Sequence, residues 1–213
     1  LGQGAKIEDQ SDQFTEYRQQ ALAQYEEYLE SGSARGDTRN LTLFYLGELS
    51  AESDPEAALD YFSNLQNVED FAVLASVKMA EIYRQQENYS RAISLLQKTI
   101  LNYDYTNDPN YAGAVAFAAD IAADDGQREL ASNYYNRYLR LEPDGPAAAR
   151  ANWQLLQLSV EGGQFQQARQ YAAVLKQDAF YSPYASQVDN QLGQILMESG
   201  DYESAATWYQ NLA

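Results

Sequence analysis

The stretch Ser76–Leu101, SVKMAEIYRQQENYSRAISLLQKTIL, decides the fold. Val77, Ala80 and Tyr83 recur at three-residue spacing with Met79 and Ile82 beside them, which gives a helix one apolar face. The polar run Arg84–Asn88 predicts a tight turn, and Ala92, Leu95, Leu96 and Ile100 form a second helical stripe. Neither short helix can bury its stripe alone, so the pair must stack on others like itself.

The same grammar extends in both directions. A polar leader over 1–10 precedes a helix predicted from Ser11 to Glu30, with Ser11 as N-cap and Phe14, Ala21, Tyr25, Tyr28 and Leu29 as its buried face. SGSARGDT (31–38) breaks the chain before the pair Leu41–Ser50 and Pro55–Leu65, in which Pro55 suits a first helical turn after Asp54. Three further pairs follow: Asn110–Asp124 with Gln127–Leu141, Ala147–Glu161 with Phe165–Lys176, and Pro183–Glu198 with Tyr202–Leu212. Residues 11–213 therefore read as one all-α repeat domain of about eleven helices, five pairs plus an N-terminal helix.

A register ties the second helices together. Ala21, Ala58, Ala92, Ala131, Ala168 and Ala205 stand at separations of 37, 34, 39, 37 and 37. Four residues after each lie Tyr25, Phe62, Leu96, Tyr135, Ala172 and Tyr209, and seven after lie Tyr28, Leu65, Thr99, Tyr138, Leu175 and Leu212. Small, bulky, bulky at steps of four and three is one helix face whose small residue admits a neighbouring helix. The longest period, 39, falls at 102–110, rich in turn-formers, and predicts a soft joint there.

These residues resemble the tetratricopeptide repeat. Leu192-Gly193, Gly200-Asp201-Tyr202 and Ala205 follow its pattern, as do Met79-Ala80, Tyr83, Tyr89 and Ala92. Gly163, Phe165 and Ala168, then Gly126, Ala131, Tyr135 and Pro143, repeat it; Leu46-Gly47 with Ala58 and Phe62 does so with one residue fewer in the turn. The resemblance implies a right-handed superhelix of stacked antiparallel pairs that binds other proteins. The phrases Asp144-Gly145-Pro146 and Tyr181-Ser182-Pro183-Tyr184-Ala185 resemble repeats of bacterial cell-envelope tetratricopeptide proteins, including outer-membrane assembly lipoproteins and Tol-Pal-associated coordinators. That implies a periplasmic or envelope-anchored protein in a bacterium, with the cytoplasm as the alternative.

Composition narrows the function. A net charge of −17 opposes binding to nucleic acid or anionic lipid, both of which need a basic footprint. The charge is uneven: residues 1–75 hold 15 acidic against 4 basic side chains. With no cysteine and no histidine, thiolate and imidazole chemistry is absent, and no serine or lysine stands in a nucleophile motif. No enzymatic activity and no cofactor is expected. The oxygen-rich DYTNDPN (104–110) lacks the spacing and glycine of a calcium loop and reads as a turn. No apolar run is long enough to span a bilayer. Residue 1 is Leu rather than Met, compatible with a signal peptide or anchor removed upstream.

The resemblance puts partner binding on the concave face lined by the first helix of each pair. Its outward polar positions are Glu48 and Glu52, then Glu81 and Arg84, then Asp120 and Asp124. They continue with Gln157 and Glu161, and with Gln194 and Glu198; Phe44, Trp153 and Met197 are interleaved as larger groups. The lysines and asparagines of the family's peptide-carboxylate clamp are replaced by Phe44 and Glu48, Val77 and Glu81, Ala116 and Asp120. The expected ligand is therefore a protein or peptide with a basic or amphipathic segment, received in an acidic groove. The alternative is a structural module that self-associates into a homo-oligomer.

Overall fold

The structure, a computed structural model, describes residues 2–102, 106–177 and 185–212. Among the described residues there are eleven helices and no strand. They fall into two compact units, the first ending at Tyr111 and the second beginning at Ala112. The first holds α1 (Gly2–Glu30), α2 (Asp37–Ser50), α3 (Pro55–Ser63), α4 (Ala72–Gln85) and α5 (Tyr89–Leu101). The second holds α6 (Tyr111–Asp124) beyond its first residue, α7 (Arg128–Leu141), α8 (Ala148–Glu161), α9 (Phe165–Gln177), α10 (Ala185–Glu198) and α11 (Tyr202–Leu212).

Within each unit successive helices pack on one another, α2 on α3, α3 on α4 and α4 on α5 in the first, α7 through α11 in the second. The register explains the packing. Ala58, Ala92, Ala131, Ala168 and Ala205 are all fully buried, as are Phe62, Leu65, Leu96, Ala172 and Leu175, with Tyr135 and Tyr138 nearly so. Each bulky side chain withdrawn in this way is worth about 1.5–3 kcal/mol.

Facing the register in most pairs is a residue of the first helix whose size offsets its own. Gly47 lies against Phe62, where a Cβ would come within 2.6 Å of the ring, and Gly193 lies closer still to Tyr209. In the α8–α9 pair the sizes are reversed: Leu156 packs with Ala168 and Ala172 in one cluster. Ala80 and Ala119 hold the same place, twelve residues ahead of Ala92 and Ala131, where the register residues are Leu96 and Tyr135. In four of the five pairs bulk is exchanged between partners, glycine against a ring and alanine against leucine, while Ala119 with Tyr135 departs from the pattern.

The turns inside the pairs are alike. Glu87, Gly126, Gly163 and Gly200 each have positive φ, and each lies five residues before its register alanine. The next residue's N–H reaches back across the helix end: Asn88 N to Tyr83 O, Gln127 N to Ala122 O, Gln164 N to Ser159 O and Asp201 N to Leu196 O. This is the left-handed helix stop that glycine favours, and Glu87 adopts it against its Cβ. Asn88 and Asp201 then cap the second helices by accepting from Arg91 N and Ser204 N, and Asp54 does the same from Ala57 N.

Three expectations change. α1 begins at Gly2 rather than Ser11, so the stretch expected as a leader is helical. Phe14 and Tyr28, expected on a buried face, are 78% and 40% exposed. The reason is that α2, which packs on α1 through Tyr25 and Tyr45, leaves these two side chains open, and no other first helix lies over them among the described residues. α2 starts a turn early, at Asp37 rather than Leu41. Of the expected joint at 102–110, residues 103–105 lie outside the described residues; beyond them Asp108 Oδ1 accepts from Asn110 N, an ordinary turn. Tyr111, the last residue of the first unit, donates its hydroxyl to Ile100 O. The phrase 181–185 and the start expected for the helix at Pro183 also lie outside the described residues, except for Ala185, where α10 begins.

Candidate functional site

The candidate residues sit on the first helices of the pairs, except Glu52 in the turn that follows α2, and the two units present them separately. In the first unit α2 and α4 bring Glu48 and Glu81 to a single cation that the sequence reading missed. Lys78 Nζ lies 3.2 Å from Glu48 Oε1 and 3.2 Å from Glu81 Oε2. Burial by itself would lower the Lys78 pKa, but the two carboxylates outweigh it and hold the ammonium above its ordinary value. The signal was present in the sequence, since Lys78 stands three residues before Glu81 on one helix face. Glu52 is bound by the Arg18 guanidinium of α1, and Arg84 is half-buried one turn beyond Glu81.

Phe44 is not a free anchor. It is half-buried against the first unit's core, with its ring centroid 5.8 Å from Phe62 and 6.0 Å from Phe71. Its neighbour Tyr45 is the exposed aromatic of α2 and stacks on Tyr25 of α1 at 5.7 Å.

In the second unit Asp120 departs furthest from expectation. It is 9% exposed, accepts the Tyr135 hydroxyl at 2.7 Å, and pairs through Oδ2 with Arg150 at 3.1 Å. Burial and the Asp120 carboxylate raise the Tyr135 pKa far above the ordinary tyrosine value. Asp120 is thus a joint between α6, α7 and α8 rather than a groove charge. A buried carboxylate needs such partners.

Of the other candidates in the second unit, Asp124, Glu161, Gln194, Met197 and Glu198 are exposed and Trp153 and Gln157 are half-buried. Asp124 and Glu161 are exposed at the ends of α6 and α8, and Glu161 pairs with Arg128 at 3.0 Å. Gln157 Oε1 accepts from Gln191 Nε2 at 3.3 Å, while Gln191 Oε1 is buried without a donor. Gln194 donates to Glu198 at 2.8 Å, and Met197 is exposed beside them. Trp153, like Phe44, is half-buried against the core of its unit.

Many of the polar residues expected to meet a partner therefore first bridge neighbouring repeats. Glu48–Lys78, Asp120–Arg150 and Gln157–Gln191 join one first helix to the next. Tyr61–Glu26 and Tyr171–Asn136 do the same between second helices. Among the described residues no cluster of three or more carboxylates is placed to hold a metal, and no helix is long and apolar enough to cross a membrane.

Stacked antiparallel helix pairs with a repeating small–bulky–bulky face define a helical-repeat protein. Residues 75–102 and 190–212 each match the tetratricopeptide repeat. Solved structures show the same fold. BtubC (BKLC) from P. vanneervenii has a TM-score of 0.66 at 14% identity, over 94% of this chain and 88% of that one. MamA has a TM-score of 0.61 at 14% identity, over 80% and 88%. PilF of Pseudomonas aeruginosa has a TM-score of 0.56 at 14% identity, over 92% and 90%. At such identity the likeness is one of fold. No curated protein matches the sequence.

Proposed function

We propose that the chain is a non-catalytic protein-interaction scaffold whose first-helix faces receive a protein or peptide partner carrying a basic or amphipathic segment. The observation that carries this reading is the Glu48–Lys78–Glu81 group, two carboxylates sharing one ammonium across adjoining helices. The group keeps one unit of negative charge in excess, and its side chains are already fixed by the fold. A partner's lysine or arginine gains charge-assisted bonds there at little ordering cost, and the net charge of −17 speeds its approach. In the second unit the exposed Glu198, Gln194 and Met197 offer a partner a similar mixture of polar and apolar contacts.

The test is partner capture from the native organism at low and high salt, with wild type and a Glu48→Lys/Glu81→Lys variant. Loss of a salt-sensitive partner in the variant supports the reading; the same partners with the same salt dependence overturn it. Asp120 is left intact because its loss would unmake packing. The location that accompanies this reading is the bacterial cell envelope, supported by the resemblance of residues 144–146 and 181–185 to envelope repeats. Recovery of the native protein in the cytosolic fraction would overturn that part. A second reading, self-association, is favoured by the state of α1.

A further inference from the structure

Among the described residues the register face of α1 is covered only at its edge, where Tyr45 of α2 stacks on Tyr25. In the later pairs Ala58, Ala92, Ala131, Ala168 and Ala205 are fully buried, whereas Ala21 is half-exposed. Around it Phe14 is 78%, Tyr17 59% and Tyr28 40% exposed, with Tyr25 half-buried against Tyr45. At 100° per residue these five side chains fall within a strip about 80° wide. In four sister repeats the chain turns five residues before the register alanine, so that a first helix folds back over it. In α1 that place is Glu16, and the helix runs straight through it. No first helix of the same repeat can therefore cover Ala21.

The strip is symmetric about Ala21. Phe14, Tyr17, Tyr25 and Tyr28 stand at −7, −4, +4 and +7 from it. An antiparallel two-fold pair would set Ala21 against its own copy at the closest approach, Phe14 against the copy's Tyr28, and Tyr17 against its Tyr25. An isologous contact requires this kind of self-complementarity. The charges permit it: on the open flank of the strip stand Gln13, Gln20 and Gln24, while Glu26 is turned away to accept from Tyr61. Taking aromatic side chains at roughly 200 Å² each, the exposed fractions of Phe14, Tyr17 and Tyr28 sum to about 700 Å² over two copies. Stable interfaces start near about 1,200 Å² in total, so the aromatics supply more than half and the alanine and glutamine flanks must supply the rest.

We propose that the α1 faces of two copies of this chain pair antiparallel about Ala21, each supplying the helix that the other's first register lacks. The dimer is reversible and belongs to the weak end of the range. It does not depend on the partner-binding reading, because it leaves Glu48, Lys78 and Glu81 untouched.

The test is sedimentation of the chain over a concentration series, together with Phe14→Asp/Tyr28→Asp. Both substituted positions are exposed, so the variant keeps its fold, which circular dichroism checks. The expected result is a monomer–dimer equilibrium whose dissociation constant rises about tenfold or more in the variant. The chain has no cysteine, so geometry can be read directly. Ala21→Cys is expected to cross-link to itself on oxidation, and Phe14→Cys to cross-link to Tyr28→Cys in a mixture but not to itself. A chain that stays monomeric at every concentration, or associates only with another protein, overturns the proposal. So does a dimer that survives the double substitution, or one in which Phe14→Cys links to itself and Ala21→Cys does not.

Discussion

Gly47→Ala tests the principle that organises the pairs. Gly47 lies inside α2, where alanine is ordinarily better than glycine by about 0.8–1.0 kcal/mol. Here the new Cβ would stand 2.6 Å from Phe62 Cε1 and Cζ and 2.9 Å from Cδ1. Carbon atoms settle at about 3.5–4.0 Å, so the ring must retreat by about 1 Å. It has nowhere to go, since Phe62 is fully buried and edge-on to Phe44. Overpacking of this kind costs about 1–3 kcal/mol, and after the helical gain a net loss of up to about 2 kcal/mol remains. For a chain of this size that is a fall in Tm of a few degrees, about 2–4 °C per kcal/mol. Gly113→Ala is the internal control: Gly113 is exposed in α6 with nothing within 4 Å of the added carbon, and its replacement is expected to stabilise. Gly47→Ala/Phe62→Leu recreates the Ala80 and Leu96 combination and is expected to be more stable than the two single costs would sum to. Thermal and urea unfolding of these three variants and of Phe62→Leu decide the matter. If Gly47→Ala stabilises as Gly113→Ala does, and the double variant is additive, bulk is not being exchanged between partners and the reasoning fails.

Glu87→Gly is expected to raise stability by about 1 kcal/mol, because Glu87 alone of the four equivalent turns holds positive φ with a side chain; an unchanged urea midpoint would count against a strained turn. Ala92→Trp or Ala168→Trp should lower stability by about 1–3 kcal/mol or more, since each alanine is fully buried at a helix crossing; two unshifted melting curves would contradict this. Alkaline stability follows from Tyr135, whose pKa is raised in the fold by burial and by Asp120. Above about pH 10 the unfolded chain loses the phenolic proton while the folded chain keeps it, so the stabilisation is complete below that pH and declines as pH rises. Tyr61, Tyr134 and Tyr138 are shifted the same way, chiefly by burial, and Lys78 also loses stabilising charge on the alkaline side. Tyr135→Phe is expected to flatten this decline while lowering neutral stability by about 1–3 kcal/mol, because Asp120 loses its hydroxyl donor; unfolding against pH for both chains checks it.

The helices were legible because packing residues repeat. The period that aligned Ala58, Ala92, Ala131, Ala168 and Ala205 is the period of the buried face, and most helix ends agree within a residue or two. The site was less legible, and for a physical reason. A carboxylate on a first helix looks the same in sequence whether it faces solvent or bridges to the next repeat, because the bridging cation lies about one repeat away. Asp120 shows this: its partners Tyr135 and Arg150 come from two other helices. Phe44 and Trp153 misled similarly, since a helix position at the edge of a buried face is half in the core. The exposure of α1 was hidden by its faithful register, which says what face the helix has and not whether anything lies on it.

The exchange of bulk within pairs bears on how such a chain can change over time. Gly47 suits only a ring such as Phe62, and Leu156 suits only a residue as small as Ala172. A first helix copied without its second would bring a gap or a clash, so viable duplications and recombinations move both helices together. An average sequence taken column by column would be worse than any of its parents, because a mean first-helix residue near alanine fits neither Phe62 nor Ala172. What is inherited at these crossings is a sum of two volumes, and selection on one column leaves its trace in another a dozen or more residues away.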